Sequence, residues 1–140
     1  MDRDMEQLFF KKKYDGEGIG GEIQAVDYMC SILNFLPRLV PEKTTSMQKH
    51  TETDECFVLL EGKAMLVLAD GEDAPDQIQA VELRKNTIYN VPIGVWHTPI
   101  MSEDAKILLV ENNHTVESNS PRHSLSEEQM TLIRDLAKNF

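Results

Sequence analysis

The chain has 140 residues, 41% of them apolar, and a formal charge of −10 from 24 acidic and 14 basic side chains. At this length one domain with its own core is expected, without the need for metal or disulfide staples. The acidic balance excludes a protein that grips nucleic acid backbone or anionic lipid, because both demand clustered Lys and Arg.

The one basic run, Lys11-Lys12-Lys13, reads as a solvated segment. The opening MDRDMEQLFFKKKYD has no apolar core of a secretory signal, and no apolar run approaches the ~20 residues of a membrane span. Cys30 and Cys56 lie in apolar segments without CxxC spacing, so buried reduced thiols and a soluble cytoplasmic protein are expected.

Residues 1–24 close on GEGIGGE, which holds four of the seven glycines, and read as a flexible lead-in. VDYMCSILNF (26–35) alternates at Val26, Tyr28, Cys30 and Ile32, as a strand does, before Pro37 and Pro41 interrupt. From residue 44 onward TTSMQKH, ECFVLLE, KAMLVLA, IQAVELR, NTIYNV, VWHTPIM and KILLVEN are short β-favouring runs separated by turn residues. Such spacing predicts an all-β sandwich or barrel over 25–113. The segments 56–60 and 64–69 are apolar at both parities, so each must be covered on both faces. A second sheet, a helix or a second copy of the chain can supply the cover, and a homodimer is expected on that ground.

Residues 114–140 read as a polar linker followed by a helix. In SEEQMTLIRDLAKNF, Ser126 and Gln129 form a capping box, Glu127 and Glu128 suit the first turn, and Met130, Ile133, Leu136 and Ala137 make an apolar stripe.

The candidate site begins at KHTETDECFVLLEG (49–62). If TTSMQKH and ECFVLLE pair as a hairpin around Thr51–Asp54, His50 lies opposite Glu55 and Gln48 opposite Phe57. An inward Glu55 carboxylate then needs either a hydrogen-bonded imidazole or a cation shared with it. NVPIGVWHTPI places His97 just after a tight turn built by Pro92 and Gly94. Two imidazoles and a carboxylate on neighbouring strands make a set that suits Fe, Mn, Ni or Zn.

Here the sequence resembles the cupins, small β-barrel (jelly-roll) proteins with two motifs. Glu55 followed after six residues by Gly62 matches the end of the first motif, and Pro92, Gly94 and His97 match the PXG(X)2H of the second. In the first motif Gln48 stands where a histidine is usual and Glu42 where the opening glycine is. In the second, Asn86 replaces the opening glycine and Met101 the closing asparagine. The resemblance implies one divalent metal on His50, Glu55 and His97, with Gln48, Phe57, Tyr89, Trp96 and Met101 as pocket candidates. It also implies a small, oxygen-rich metabolite as ligand, with isomerase, lyase or dioxygenase chemistry. Two other readings stay open: a metal-free binding module, and a metal-free isomerase or epimerase with His50 as base.

Overall fold

The structure, a computed structural model, describes residues 8–140. Among the described residues, ten strands and one α-helix form a two-sheet barrel. The strands are β1 (Ile19–Gln24), β2 (Tyr28–Asn34), β3 (Ser46–Gln48), β4 (Glu55–Glu61), β5 (Ala64–Asp70), β6 (Asp76–Glu82), β7 (Tyr89–Val91), β8 (Trp96–Met101), β9 (Lys106–Asn112) and β10 (Arg122–Ser124). The helix α1 spans Glu127–Leu136. One sheet has the order β1-β2-β9-β4-β7 and the other β10-β3-β8-β5-β6, with antiparallel neighbours throughout.

Parity decides what each strand buries. Phe57 and Leu59 of β4, Leu66 of β5, Met101 of β8, and Ile107 and Leu109 of β9 fill the space between the sheets. On the second sheet the opposite parity is buried as well: Met65, Val67, Ala69, Trp96 and Ile100 pack with Ile133 of α1 and Ala137 just after it. The doubly apolar β5 is therefore covered by the helix. The helix begins as its sequence demands, with Gln129 N–H donating to Ser126 Oγ (3.1 Å) and Ser126 N–H to Gln129 Oε1 (2.9 Å). Leu136, expected in the stripe, is instead exposed, at the last position of the helix.

The first sheet has no such cover. Cys30 and Cys56 flank Val110 in one outward row, and Ile32 and Val58 flank Leu108 in the next. These side chains are half-buried, and Leu60 beyond them is exposed. The doubly apolar β4 is thus covered on its inner face only.

The expected lead-in is corrected over its second part. Residues 19–24 form β1 on β2, with an irregular register between Gly20 and Ile23. The glycines serve close approach there: a Cβ on Gly20 would stand 2.5 Å from the Tyr14 ring. The expectation for residues 1–7 lies outside the described residues. The 114–140 linker is corrected too. It contains a 3-10 turn at Glu117–Asn119 and strand β10, which pairs with β3.

Candidate metal centre

His97 is delivered by the Pro92–Gly94 turn and by β8, where its parity points inward beside Met101. Gly94 adopts φ 84°, a left-handed value that glycine takes without strain. Gly94 N–H also donates to His50 O (2.8 Å), so the same turn holds the segment that carries the other histidine. Asp54 ties the facing turn down, accepting from Ile93 N–H (3.0 Å) and Asn90 Nδ2 (3.3 Å). Asn86, in the position of a motif glycine, sits at φ 61°, a conformation that Asn tolerates.

His50, Glu55 and His97 do converge. His50 Nε2 and His97 Nε2 each lie 3.0 Å from Glu55 Oε1. All three residues are at most 7% exposed. The route to this convergence differs from the hairpin expected from sequence. β3 and β4 belong to different sheets, so Gln48 pairs with His97 rather than Phe57. Glu55 pairs with Val91 and Glu111 rather than with His50. The residues after Gln48 leave β3 and cross the barrel mouth, and His50 meets Glu55 across the gap between sheets.

The hydrogen bonds behind the ring nitrogens define the chemistry of this trio. His97 Nδ1 lies 3.0 Å from the Val95 carbonyl, which only accepts, so Nδ1 carries the hydrogen. Behind His50 the chain of bonds is longer. Asn119 Nδ2 donates to His114 O (2.8 Å), which directs Asn119 Oδ1 toward the Ser120 hydroxyl that donates to it (3.2 Å). Ser120 Oγ, 2.7 Å from His50 Nδ1, is then left to accept from the ring. Each imidazole therefore points Nε2 at a carboxylate oxygen, where it donates when protonated and offers a lone pair when neutral. Three electron-rich atoms within 4.8 Å of one another need protons or a cation between them. This donor set fits a divalent transition metal, with the Nδ1 partners acting as the outer shell that fixes ring orientation.

Burial alone would raise the Glu55 carboxyl, but the hydrogen bonds and charge of His50 and His97 outweigh it and hold Glu55 well below the usual carboxylate range. The neighbouring Glu111 goes the other way. Burial first, then the Glu55 charge opposite it, pushes its carboxyl up to about 7. Its folded value lies above the ordinary 4.5, so the folded chain holds the extra proton and stability falls as pH rises from 4.5 to about 7. In metal-free protein, Glu111→Gln is expected to raise stability at pH 8 by roughly 1 kcal/mol, discounted for a half-exposed side chain, with no gain at pH 4. Urea melts at the two pH values check this, and equal effects at both would refute it.

A cavity of about 110 Å³ adjoins the trio, lined in part by Gln48, Glu55, Phe57, His97, Arg38 and Arg122. Gln48 donates through Nε2 to Ser120 O (3.1 Å), and Phe57 packs edge-on against the His97 ring with centroids 6.0 Å apart. Three pocket expectations are corrected. Trp96 points outward into the helix-covered layer, its Nε1–H donating to Gly71 O (2.9 Å). Tyr89 is absent from the cavity wall and its hydroxyl accepts from Arg84 N–H (2.9 Å). Met101 faces inward but is packed in the core away from the cavity. Sequence reading missed Ser120 and Asn119, Glu111, Arg38 and Arg122. Only the inward parity of Glu111 on β9 was available as a signal, since the others lie in turns or in the segment read as a linker.

A two-sheet antiparallel barrel whose PXG turn and following histidine meet a motif glutamate defines a cupin. The sequence profile of the ureidoglycolate lyase family matches residues 7–132, and the chain belongs to that family. It is 31% identical over 80 residues to a ureidoglycolate lyase of Burkholderia cepacia, a match covering 55% of this chain and 45% of the relative. The chain thus spans less than half the length of that relative. Among solved structures, Streptomyces PAC13, determined with uridine, superposes with a TM-score of 0.55 at 10% identity, covering 84% of this chain and 89% of the other. A cupin-2 domain protein of Shewanella frigidimarina has a TM-score of 0.46 at 24% identity, with 76% and 87% covered. No helix among the described residues is long and apolar enough to cross a membrane.

Proposed function

We propose that this protein is a metal-dependent lyase of a small, oxygen-rich acid, holding one divalent ion on His50, Glu55 and His97. The observation that carries the reading is the convergence of two buried Nε2 atoms on one carboxylate oxygen, each at 3.0 Å, in a set of three potential ligand atoms within 4.8 Å of one another. The family, with a relative named ureidoglycolate lyase, supports the reaction type. A bound ion would supply Lewis acidity toward a carbonyl or hydroxyl oxygen. The chain's own groups do the rest. Val95 O and Ser120 Oγ keep the rings turned inward, and Gln48 lines the cavity beside them. The metal-free epimerase reading loses its acid, because no tyrosine lines the cavity. Elemental analysis of protein purified without chelator or His-tag tests the proposal. About one ion per chain is expected, and trace metal unchanged by His97→Ala would end it.

The outward face of the first sheet supports a homodimer. Two rows of apolar side chains there lack cover among the described residues, and burying such a face is the main driving force for association of like subunits. Light scattering is expected to give twice 16.0 kDa, and Leu108→Arg, which places a charge mid-face, is expected to give monomer. A monomer for the unmutated chain across dilution would refute it. Cys30 and Cys56 are free and lie two strands apart across Val110, roughly 10 Å, too far to bridge. Free thiols suit a reducing compartment, and we place the protein in the cytoplasm; recovery in an oxidising compartment on cell fractionation would contradict that.

A further inference from the structure

The cavity carries two positive charges that the metal centre does not use. Arg38, in the turn after β2, and Arg122, on β10, both line it, between walls that include Leu33, Leu39 and Leu109. Arg122 has a defined place in the barrel. It pairs with Gln48, which pairs with His97, so the three form one row across β10, β3 and β8; Arg122, like Arg38, is exposed to solvent. Two strand spacings put the Arg122 backbone roughly 10 Å from that of His97. Arg122 Nη1 donates to Ser46 Oγ (3.2 Å), which steadies the guanidinium.

Neither arginine has an acidic partner among the described residues. Among the described residues the ion pairs are Lys13–Asp15, Lys106–Asp15 and the two from histidines to Glu55. In a chain with 24 acidic residues, two of its five arginines meet at one cavity with no acidic partner among the described residues. Burial, and then the Arg38 charge, lower the Arg122 pKa, so the two guanidiniums are close enough to repel each other. An oxyanion between them would remove that repulsion and use the planar fork each presents. A divalent ion on two neutral histidines and one carboxylate would leave the far end of the cavity positive as well.

We propose that Arg38 and Arg122 form an anion subsite and that the substrate is a small dicarboxylate, one carboxylate on the arginines and the other acidic end at the His50–Glu55–His97 centre. The second half of this statement rests on the metal-centre reading. Ureidoglycolate carries one carboxylate, so the chain's ligand differs from it by a second acidic group. The cavity, about 110 Å³, suits a short diacid.

Calorimetric titration with malonate, acetate and inorganic phosphate tests the proposal on zinc-loaded and on EDTA-treated protein. With zinc in place, malonate is expected to bind at least tenfold more tightly than either of the others. Arg38→Gln and Arg122→Gln are each expected to weaken malonate at least tenfold, with metal content and thermal midpoint unchanged, and Arg122→Lys is expected to recover part of the loss. Failure of malonate to bind, equal affinity for acetate, or phosphate binding as tight as malonate overturns the dicarboxylate assignment. Full malonate affinity in both glutamine variants overturns the subsite. The two readings fail separately. If zinc does not load but malonate still depends on the arginines, the metal centre falls and the subsite stands. If zinc loads at about one per chain and malonate ignores the arginines, the subsite falls and the centre stands.

Discussion

Glu55→Gln is expected to abolish stoichiometric metal while leaving a folded chain. The substitution keeps the size of the side chain and removes its charge. The site then loses its one anionic donor, and an amide oxygen is a poor ligand for a transition metal. The affinity loss should exceed the roughly 10- to 100-fold that follows from removing a partner behind a ligand. Ser120→Ala supplies that smaller case. It takes the acceptor from His50 Nδ1, 2.7 Å away, and frees the ring to turn or change tautomer. Affinity is expected to fall roughly 10- to 100-fold, with the ion still bound at high metal concentration. His50→Ala should resemble Glu55→Gln. Acid should act in the same direction, since protons compete for the two Nε2 lone pairs and metal binding releases them. Competition with a chromophoric chelator measures all of these. Wild-type occupancy in both Glu55→Gln and His50→Ala would mean that the ion, if any, is bound elsewhere.

Gly62→Ala is expected to be among the most destabilising single-methyl changes in the chain. Gly62 turns the corner from β4 in one sheet to β5 in the other, and its φ is 72°. A Cβ there would sit 2.6 Å from Ala105 Cα and 2.7 Å from Ala105 N. Both atoms are backbone of the segment leading into β9, so the clash cannot be relieved by a rotamer change. Left-handed strain adds on the order of 1 kcal/mol, and overpacking of this kind typically adds about 1–3 kcal/mol. A loss of about 2–4 kcal/mol in a denaturant melt is expected. A loss under about 0.5 kcal/mol would show that the corner yields easily. Because β4 carries Glu55 and β9 carries Glu111, the same variant should also weaken metal binding. Gly94→Ala offers a comparison, since Gly94 has a similar φ of 84° but open space where its Cβ would point. Only the strain should be felt there.

Much of the barrel could be read from particular residues. ECFVLLE reappears as the strand Glu55–Glu61, and the helix starts at the Ser126–Gln129 box. Both signals are local: alternation along a few residues, and a side chain returning to its own backbone. Where two local signals conflicted, the reading went astray. The glycines of GEGIGGE suggested looseness, yet they make room for Tyr14 against β1. The polar run after Asn112 suggested a linker, yet Asn119, Ser120 and Arg122 reach the site from it. Nothing within that run announces that it lies beside β3.

The site divides along the same line. Residue types and short spacings were enough to select His50, Glu55 and His97, to place the corner at Gly62, and to identify the turn that aims His97. They also excluded nucleic acid and anionic lipid as partners. Which atoms touch was left to the tertiary structure. Strands adjacent in sequence need not be adjacent in a sheet, because pairing is settled by burying a common core over long chain separations. So β3 joined β8 instead of β4, His50 reached Glu55 across the barrel mouth, and two arginines distant in sequence came to share one cavity.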